Sequence, residues 1–153
     1  GAMYDMGVYP LNAARYTAGE EPIAIASATM KSTTEVYKNV DETTHFELEF
    51  ASGARAKCAT SYAQSMNHLR AECAKGWYEL KPFQSYSGVK GQTSSGIILP
   101  AAPENQQARQ MDNDALAIIN KSPVLVPGEE GMKDIVIVEA IFKAAKEGKR
   151  IKL

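Results

Sequence analysis

The chain has 153 residues, a formal net charge of -1 and 23% charged residues. A chain of this length is typically one domain that buries roughly two thirds of its unfolded surface, so it needs no disulfide or metal to hold its fold. Its near-neutral charge does not attract nucleic acid or an anionic membrane, and it has no apolar run long enough to span a bilayer. We therefore expect a single domain over residues 1–153, with no nucleic acid and no membrane as partner.

The first notable stretch, residues 4–16, places a carboxylate, three phenols, an amide and an arginine on one predicted short helix. Asp5 is a candidate N-cap, and Gly19 supplies a left-handed stop. Pro10 fits only in a first turn, which moves the start of regular helix towards Val8. Helical spacing then predicts a polar stripe along one face where a core stripe is usual, formed by Asp5, Tyr9, Asn12 and Tyr16.

Beyond Gly19, short runs in which apolar residues recur at every second position predict β-strands. The first run places Ile23 and Ile25 on one face. The segment 86–103 reads as a loop with an edge strand, and the basic tail after residue 148 is predicted to add a last short strand. The main runs cover residues 22–31, 46–50, 54–62, 69–73 and 77–80.

The second and third of these runs predict a hairpin with a defined register. A three-residue turn at residues 51–53 pairs them in antiparallel fashion. This register sets apolar partners on one side of the hairpin and opposite charges on the other. The predicted apolar pairs are Phe50 with Ala54, Leu48 with Ala56 and Phe46 with Cys58, and the charged pairs are Glu49 with Arg55 and Glu47 with Lys57.

Two helices are predicted after the strands, at about residues 104–120 and from Pro127 to Gly148. Their apolar stripes are expected to cover the sheet. The fold class is therefore α+β, an open, mostly antiparallel β-sheet of four or five strands in a meander, with helices packed on one face. The stripe residues are Met111, Ala115, Ile118 and Ile119 in the first helix, and Met132, Ile135, Val136, Ile137, Ala140, Ile141 and Ala144 in the second.

Other residues that could carry chemistry have simpler interpretations. His45 and His68 are isolated in strand-like runs with no metal-ligand spacing, so they read as ordinary sheet residues. Cys58 and Cys73 are expected to be buried, reduced thiols, with a disulfide as the alternative. The chain has no Gly-x-Gly-x-x-Gly after a strand, so we expect it to bind no dinucleotide cofactor by itself. By pattern alone, a tyrosine on a helix such as Tyr9 more often packs than reacts.

A resemblance changes that estimate for Tyr9. Residues 5–16, followed by Gly-Glu-Glu-Pro at 19–22, resemble the start of the second domain in the Gfo/Idh/MocA oxidoreductases, and most of all the glucose-fructose oxidoreductases. Residues 53–56, the Ser-Tyr pair at 61–62 and the segments 127–134 and 140–149 are similar to the same family at the same relative positions. The resemblance covers nearly the whole chain.

The resemblance implies the C-terminal substrate and assembly domain of a two-domain NAD(P)-dependent sugar oxidoreductase, which transfers hydride between nicotinamide and a sugar. It implies that the free sheet face assembles subunits into a homo-oligomer, and that an N-terminal Rossmann domain, absent from this chain, carries NADP or NAD and a lysine. Asp5 and Tyr9 match the family's Asp and His/Tyr positions and are assigned as catalytic and sugar-binding. Asn12 and Arg15 are assigned as substrate-binding beside them.

Two functions from different classes remain open at this point. One is half of an enzyme, inactive without the nicotinamide-carrying domain whose cation would lower the pKa of the catalytic phenol from its ordinary value near 10. The other is a stand-alone interaction or sugar-binding domain that has kept the sheet and lost the chemistry. The sequence does not distinguish a cytoplasmic from a periplasmic location.

Overall fold

The computed structural model describes residues 1–100 and 105–153. Its contacts divide the chain into two compact units, one of residues 1–66 with 132–153 and one of residues 67–131. Residues 101–103 of the predicted loop with an edge strand lie outside the described residues. Residue 104, the first of the helix predicted at 104–120, also lies outside them. The single-domain assignment stays a prediction, and each unit is described by itself.

The first unit is built on a four-stranded antiparallel sheet in the order β3-β2-β1-β8. Two helices pack on one face of it, and a π-helical turn, Met3–Gly7, leads into the first of them. Its regular elements are α1 (Val8–Ala18), β1 (Pro22–Lys31), β2 (Thr43–Phe50), β3 (Arg55–Ser61), α3 (Gly128–Glu147) from residue 132 onward, and β8 (Ile151–Lys152), with a 3₁₀ turn at Glu35–Tyr37.

One apolar cluster holds this unit together. Burial alternates along β2, so that one face of the strand meets the helices while Glu47 and Glu49 face the other way. Burying such a face supplies most of the stability of a sheet packed under helices. The cluster consists of Met3, Leu11, Ala14, Ile25, Ala28, Phe46, Leu48, Phe50, Ile137, Val138, Ala140, Ile141 and Ala144.

The predicted hairpin register is confirmed residue by residue. Phe46 lies opposite Cys58, Leu48 opposite Ala56, Glu47 opposite Lys57 and Glu49 opposite Arg55. The Phe50 amide donates to the Ala54 carbonyl at 3.0 Å, and Gly53 in the turn has φ 88°, a value that favours glycine. The last short strand predicted in the basic tail is also present, as β8 paired with β1.

The second unit contains the antiparallel sheet β4-β5-β6-β7 and the helix α2. The α+β class with open antiparallel strands is confirmed, but the strands form two four-stranded sheets, so β3 and β4 are not neighbours in one meander. The helix is capped by the Asn105 side chain, which accepts from the Ala108 amide at 3.0 Å. The elements are β4 (Leu69–Cys73), β5 (Gly76–Leu80), β6 (Gly91–Thr93), β7 (Ile98–Leu99) and α2 (Gln106–Asn120).

Several residues predicted to be buried are exposed. Ile23 is 42% exposed while Ile25 is fully buried, because register shifts between Pro22 and Ala24 and between Ile25 and Ser27 break the alternation of β1. In α3 the buried residues after Asp134 follow it at steps of three, four, six, seven and ten, which leaves Met132, Ile135 and Val136 on another side of the helix. In α2 only Ala117 is buried, so the predicted stripe of Met111, Ala115, Ile118 and Ile119 is exposed.

The two cysteines are free thiols, as predicted, but only one is shielded from water. Burial raises the pKa of the Cys58 thiol to about 12, so it stays protonated and unreactive at neutral pH. Cys73 is exposed, which corrects the prediction that both are buried. None of the helices in residues 1–100 and 105–153 is long and apolar enough to cross a membrane.

Candidate functional site

The site begins with the turn that carries Asp5. Residues Met3–Gly7 form a π-helical turn, and Asp5 lies inside it, so its prediction as an N-cap is wrong. The turn is tied to Asp41, whose side chain is buried: its Oδ2 accepts from the Met3 amide at 2.7 Å and from Thr44 Oγ1 at 2.8 Å. Turns of this type often occur at functional sites. The regular helix α1 then begins at Val8, as predicted from Pro10, and ends at the left-handed Gly19.

Gly7 brings this turn close to the sheet. A Cβ at this position would lie 2.6 Å from Met3 Sδ and 3.1 Å from the Thr60 Cγ2 methyl of β3. Distances this short require a neighbour to move, so a larger residue would displace the buried Met3 side chain or shift the turn. The Asp-x-Gly spacing therefore couples an exposed carboxylate to a buried glycine two residues later.

Asp5 is exposed and bonded to a second chain segment. Its Oδ2 accepts a hydrogen bond from the Tyr62 phenol at 2.9 Å. The Tyr62 ring stacks on Tyr37 with a centroid distance of 5.2 Å. Two effects raise the pKa of the Tyr62 phenol above 10.0: desolvation is the larger, and the hydrogen bond to Asp5 is the second. The phenol therefore remains a hydrogen-bond donor at neutral pH.

Tyr9 lies one turn beyond Asp5 with its side chain directed outward. It is 47% exposed, and Tyr16, two turns further on, is 61% exposed. The structure thus leaves both side chains exposed, with Asp5 in the turn before α1 and Tyr9 in its first turn. Their catalytic and sugar-binding assignments stay predictions.

Asn12 and Arg15 point instead into a network with α3. The Arg15 guanidinium, 4% exposed, binds Glu21 through Nε and Nη2, both at 2.7 Å, and Asp134 Oδ1 through Nη1 at 2.6 Å. The Asn12 amide donates to Asp134 Oδ2 at 3.1 Å, and Lys133 Nζ reaches Glu21 at 3.2 Å. Their substrate-binding assignment stays a prediction, and these contacts give both residues a structural role.

The other phenol of the opening stretch, Tyr4, is also engaged. Its hydroxyl donates to Glu139 of α3, and its ring stacks on Phe142 at a centroid distance of 5.4 Å. The hydrogen bond to the carboxylate raises the pKa of the Tyr4 phenol above 10.0. A cavity of about 570 Å³ adjoins this pair, lined by Met30, Glu139, Phe142, Lys143, Ala145, Lys146 and Glu147.

Sequence reasoning missed the residues that support Asp5. Asp41 is separated from Met3 by 38 residues and Tyr62 from Asp5 by 57 residues, so no helical or strand period connects them. The local signal for Asp41 was the Asp-Glu pair at residues 41–42, directly before the strand at 43–50. Acidic residues are seldom buried unless they have a partner, so two acids beside an apolar strand indicate specific contacts. Within residues 1–100 and 105–153, no three His, Cys, Asp or Glu side chains come together as a metal site would require.

Sequence profiles of known families match both parts of the chain. A profile described as a GFO/IDH/MocA C-terminal domain matches residues 1–79, and one described as an oxidoreductase family C-terminal alpha/beta domain matches residues 97–153. The α+β arrangement and these matches define the chain as a C-terminal domain of oxidoreductase type. It belongs to the GFO/IDH/MocA family.

Individual relatives agree with this placement. A D-xylose 1-dehydrogenase (NADP(+)) of Haloarcula marismortui is 24% identical over 99% of this chain and 44% of its own length. The aldose-aldose oxidoreductase from Caulobacter crescentus, in a crystal structure with glycerol, is 37% identical with a TM-score of 0.92 over 100% of this chain and 48% of its own. The myo-inositol 2-dehydrogenase from Lactobacillus plantarum shares the fold at 16% identity, with a TM-score of 0.73 over 100% of this chain and 48% of its own. The chain thus spans about half the length of each.

Proposed function

We propose that this chain is the substrate-binding half of an NAD(P)-dependent sugar oxidoreductase. In the complete enzyme, hydride passes between nicotinamide and an aldose, with Tyr9 as the acid/base group and Asp5 as a sugar-binding group that helps to orient the reacting hydroxyl. The observation that carries the proposal is the pairing of an exposed carboxylate with an exposed phenol one helical turn later, in a chain of the GFO/IDH/MocA family. Sugar-linked relatives of 24% and 37% identity support the substrate class.

The exposure of this surface supports a second domain. Sites for small molecules are concave and bury most of the ligand, whereas Tyr9 is 47% exposed and reaches outward from α1. A Rossmann domain carrying NADP or NAD would supply the opposing wall and a cation to lower the pKa of the reacting phenol. Coverage of 44% and 48% of the relatives is consistent with such a partner domain.

The activity test uses the complete polypeptide encoded by the parent gene. Reduction of NADP or NAD is followed with glucose, xylose, arabinose and other aldoses, and fructose is offered as acceptor to test the glucose-fructose type. We expect nicotinamide reduction with at least one aldose. A folded complete protein inert toward every sugar would favour the stand-alone interaction domain instead.

The chain by itself is expected to bind no dinucleotide. Pyrophosphate binding needs a glycine-rich turn between a strand and a helix, where backbone N–H groups and the helix dipole face the phosphates, and the sequence has no such Gly-x-Gly-x-x-Gly element. Titration calorimetry with NAD(H) and NADP(H) should therefore give only heats of dilution. Micromolar binding of either nucleotide would contradict the proposal that a separate Rossmann domain binds the nicotinamide cofactor.

We further propose that the charged face of the first sheet assembles subunits. On this face Arg55 binds Glu47 at 2.8 Å and Glu49 at 3.3 Å, and Arg150 binds Glu49 at 2.7 Å. Arg55→Glu would place three carboxylates together and should shift the oligomer towards monomer in sedimentation velocity. Lys38→Glu, the same type of charge reversal directly after the 3₁₀ turn and outside the sheet, is the control. A monomeric wild-type protein would remove the basis for this interface.

A further inference from the structure

We propose that Tyr62, supported by Tyr37, is a positioning residue that fixes the Asp5 carboxylate in the sugar site. The inference deepens the function proposed above and rests on it. It starts from the 2.9 Å hydrogen bond between the Tyr62 phenol and Asp5 Oδ2, which joins the end of β3 to the turn before α1.

An exposed aspartate needs such a partner if it is to act at a fixed position. Asp5 lies on the surface of its turn, where an unrestrained carboxylate samples several rotamers. A hydrogen bond to a charged acceptor is stronger than one between neutral groups, and it selects one rotamer. With Oδ2 held by Tyr62, Oδ1 is left to accept from a sugar hydroxyl.

Tyr62 is itself held firmly enough to serve this purpose. Its backbone amide donates to the Glu42 carbonyl at 2.9 Å, directly beside the buried Asp41 that anchors the Met3–Gly7 turn. Its ring stacks on Tyr37 at an interplanar angle of 27°. The carboxylate and the phenol that orients it are therefore fixed to the same short segment, residues 41–42, through two separate connections.

The aromatic pair also suits the chemistry of a sugar. Tyr62 is 40% exposed and Tyr37 is half-buried, so part of the stacked pair remains accessible beside Asp5. Carbohydrates combine hydroxyls with apolar C–H faces, and a carboxylate next to an aromatic surface offers a partner for each. The pair therefore forms a flank of the proposed site as well as a support for Asp5.

The test measures Tyr62→Phe in the complete enzyme, which removes the hydroxyl and keeps the ring stacked on Tyr37. We expect KM for the aldose to rise about ten-fold or more while kcat changes less, because a charged hydrogen bond is lost. In a double-mutant cycle, Tyr62→Phe should add little to Asp5→Asn if Tyr62 acts through the carboxylate. A purely structural role would give additive effects.

Tyr16→Phe is the matched control, since it removes a hydroxyl from a tyrosine of α1 that is 61% exposed and has no role in the proposed site, and its KM should stay near wild type. A wild-type KM for Tyr62→Phe in an active enzyme would overturn the inference and leave the proposed function intact. An inactive wild-type enzyme would overturn the proposed function.

The link between the two residues can also be measured without activity. In the chain with ¹³Cζ-labelled tyrosine, the pKa of Tyr62 is followed by NMR, with the resonance assigned through Tyr62→Phe. Because the Asp5 charge and hydrogen bond help to raise this pKa, Asp5→Asn should lower it. A Tyr62 pKa unchanged in Asp5→Asn would overturn the inference whatever the activity.

Discussion

Replacing Tyr9 with phenylalanine is expected to lower kcat of the complete enzyme by about 10²- to 10⁴-fold, the usual contribution of a general acid/base group. KM should change less, because the hydroxyl that moves the proton contributes mainly in the transition state. The fold should be unaffected, since Tyr9 is 47% exposed and the change removes one surface oxygen. Steady-state kinetics with the best aldose, together with a thermal unfolding scan, checks both parts.

Tyr16→Phe is the matched control for this prediction. It makes the same chemical change on the same helix, two turns further along, at a side chain that is 61% exposed. Its kcat should stay near that of the wild type. Asp5→Asn should instead act mainly on KM, because an amide accepts hydrogen bonds from sugar hydroxyls less strongly than a carboxylate does. A near-normal kcat for Tyr9→Phe would end the catalytic assignment.

The features that the sequence predicted well are those fixed over a few residues. The register of β2 against β3 follows from strict alternation around a three-residue turn, and Phe46 does lie opposite Cys58. The end of α1 before Gly19 and its start at Val8, two residues before Pro10, likewise follow from single-residue conformational rules.

The features it missed depend on contacts between distant segments. The sequence predicts Asp5 to be a helix N-cap, yet Asp5 lies within a π-helical turn that is anchored by a buried Asp41. The Arg15–Asp134 contact joins residues 119 positions apart. The stripe of α2 shows a related limit: periodicity identifies an apolar face, as at Ile118 and Ile119, without saying what covers it.

The Arg15 network gives the second large expected effect. Replacing Arg15 with methionine keeps most of the apolar volume but leaves Asp134, 8% exposed, without its cationic partner. Removing one member of a buried pair typically costs 3–5 kcal/mol, so we expect the free energy of unfolding of the chain to fall by about 3 kcal/mol at neutral pH. Glu21 contributes little of this, because its side chain is 52% exposed and solvent screens its charge. Urea unfolding measures the change.

Lys38→Met is the matched control, since it removes a cation that is 60% exposed, bound to Glu35 and outside the charged face of the sheet. Exposed pairs of this kind contribute about 0–1 kcal/mol, so this variant should remain close to the wild type. A similarly small effect for Arg15→Met would show that the network is not a stabilising element. If Arg15→Met also raised KM for the aldose in the complete enzyme, the predicted role of Arg15 in substrate binding would gain support instead.

The pH dependence of the Arg15 effect follows from Glu21. Its hydrogen bonds to Arg15 hold the pKa of the carboxyl at about 2, below the ordinary 4.5. A lowered pKa means that the stabilising contribution is complete above pH 4.5 and is lost as the pH falls through about 2, because the unfolded chain takes up the proton first. The difference in unfolding free energy between wild type and Arg15→Met should therefore narrow slightly in that window. Lys38→Met, whose partner Glu35 is a different carboxylate, provides the baseline. A difference that widened on acidification would show that Glu21 is not held by Arg15 in solution.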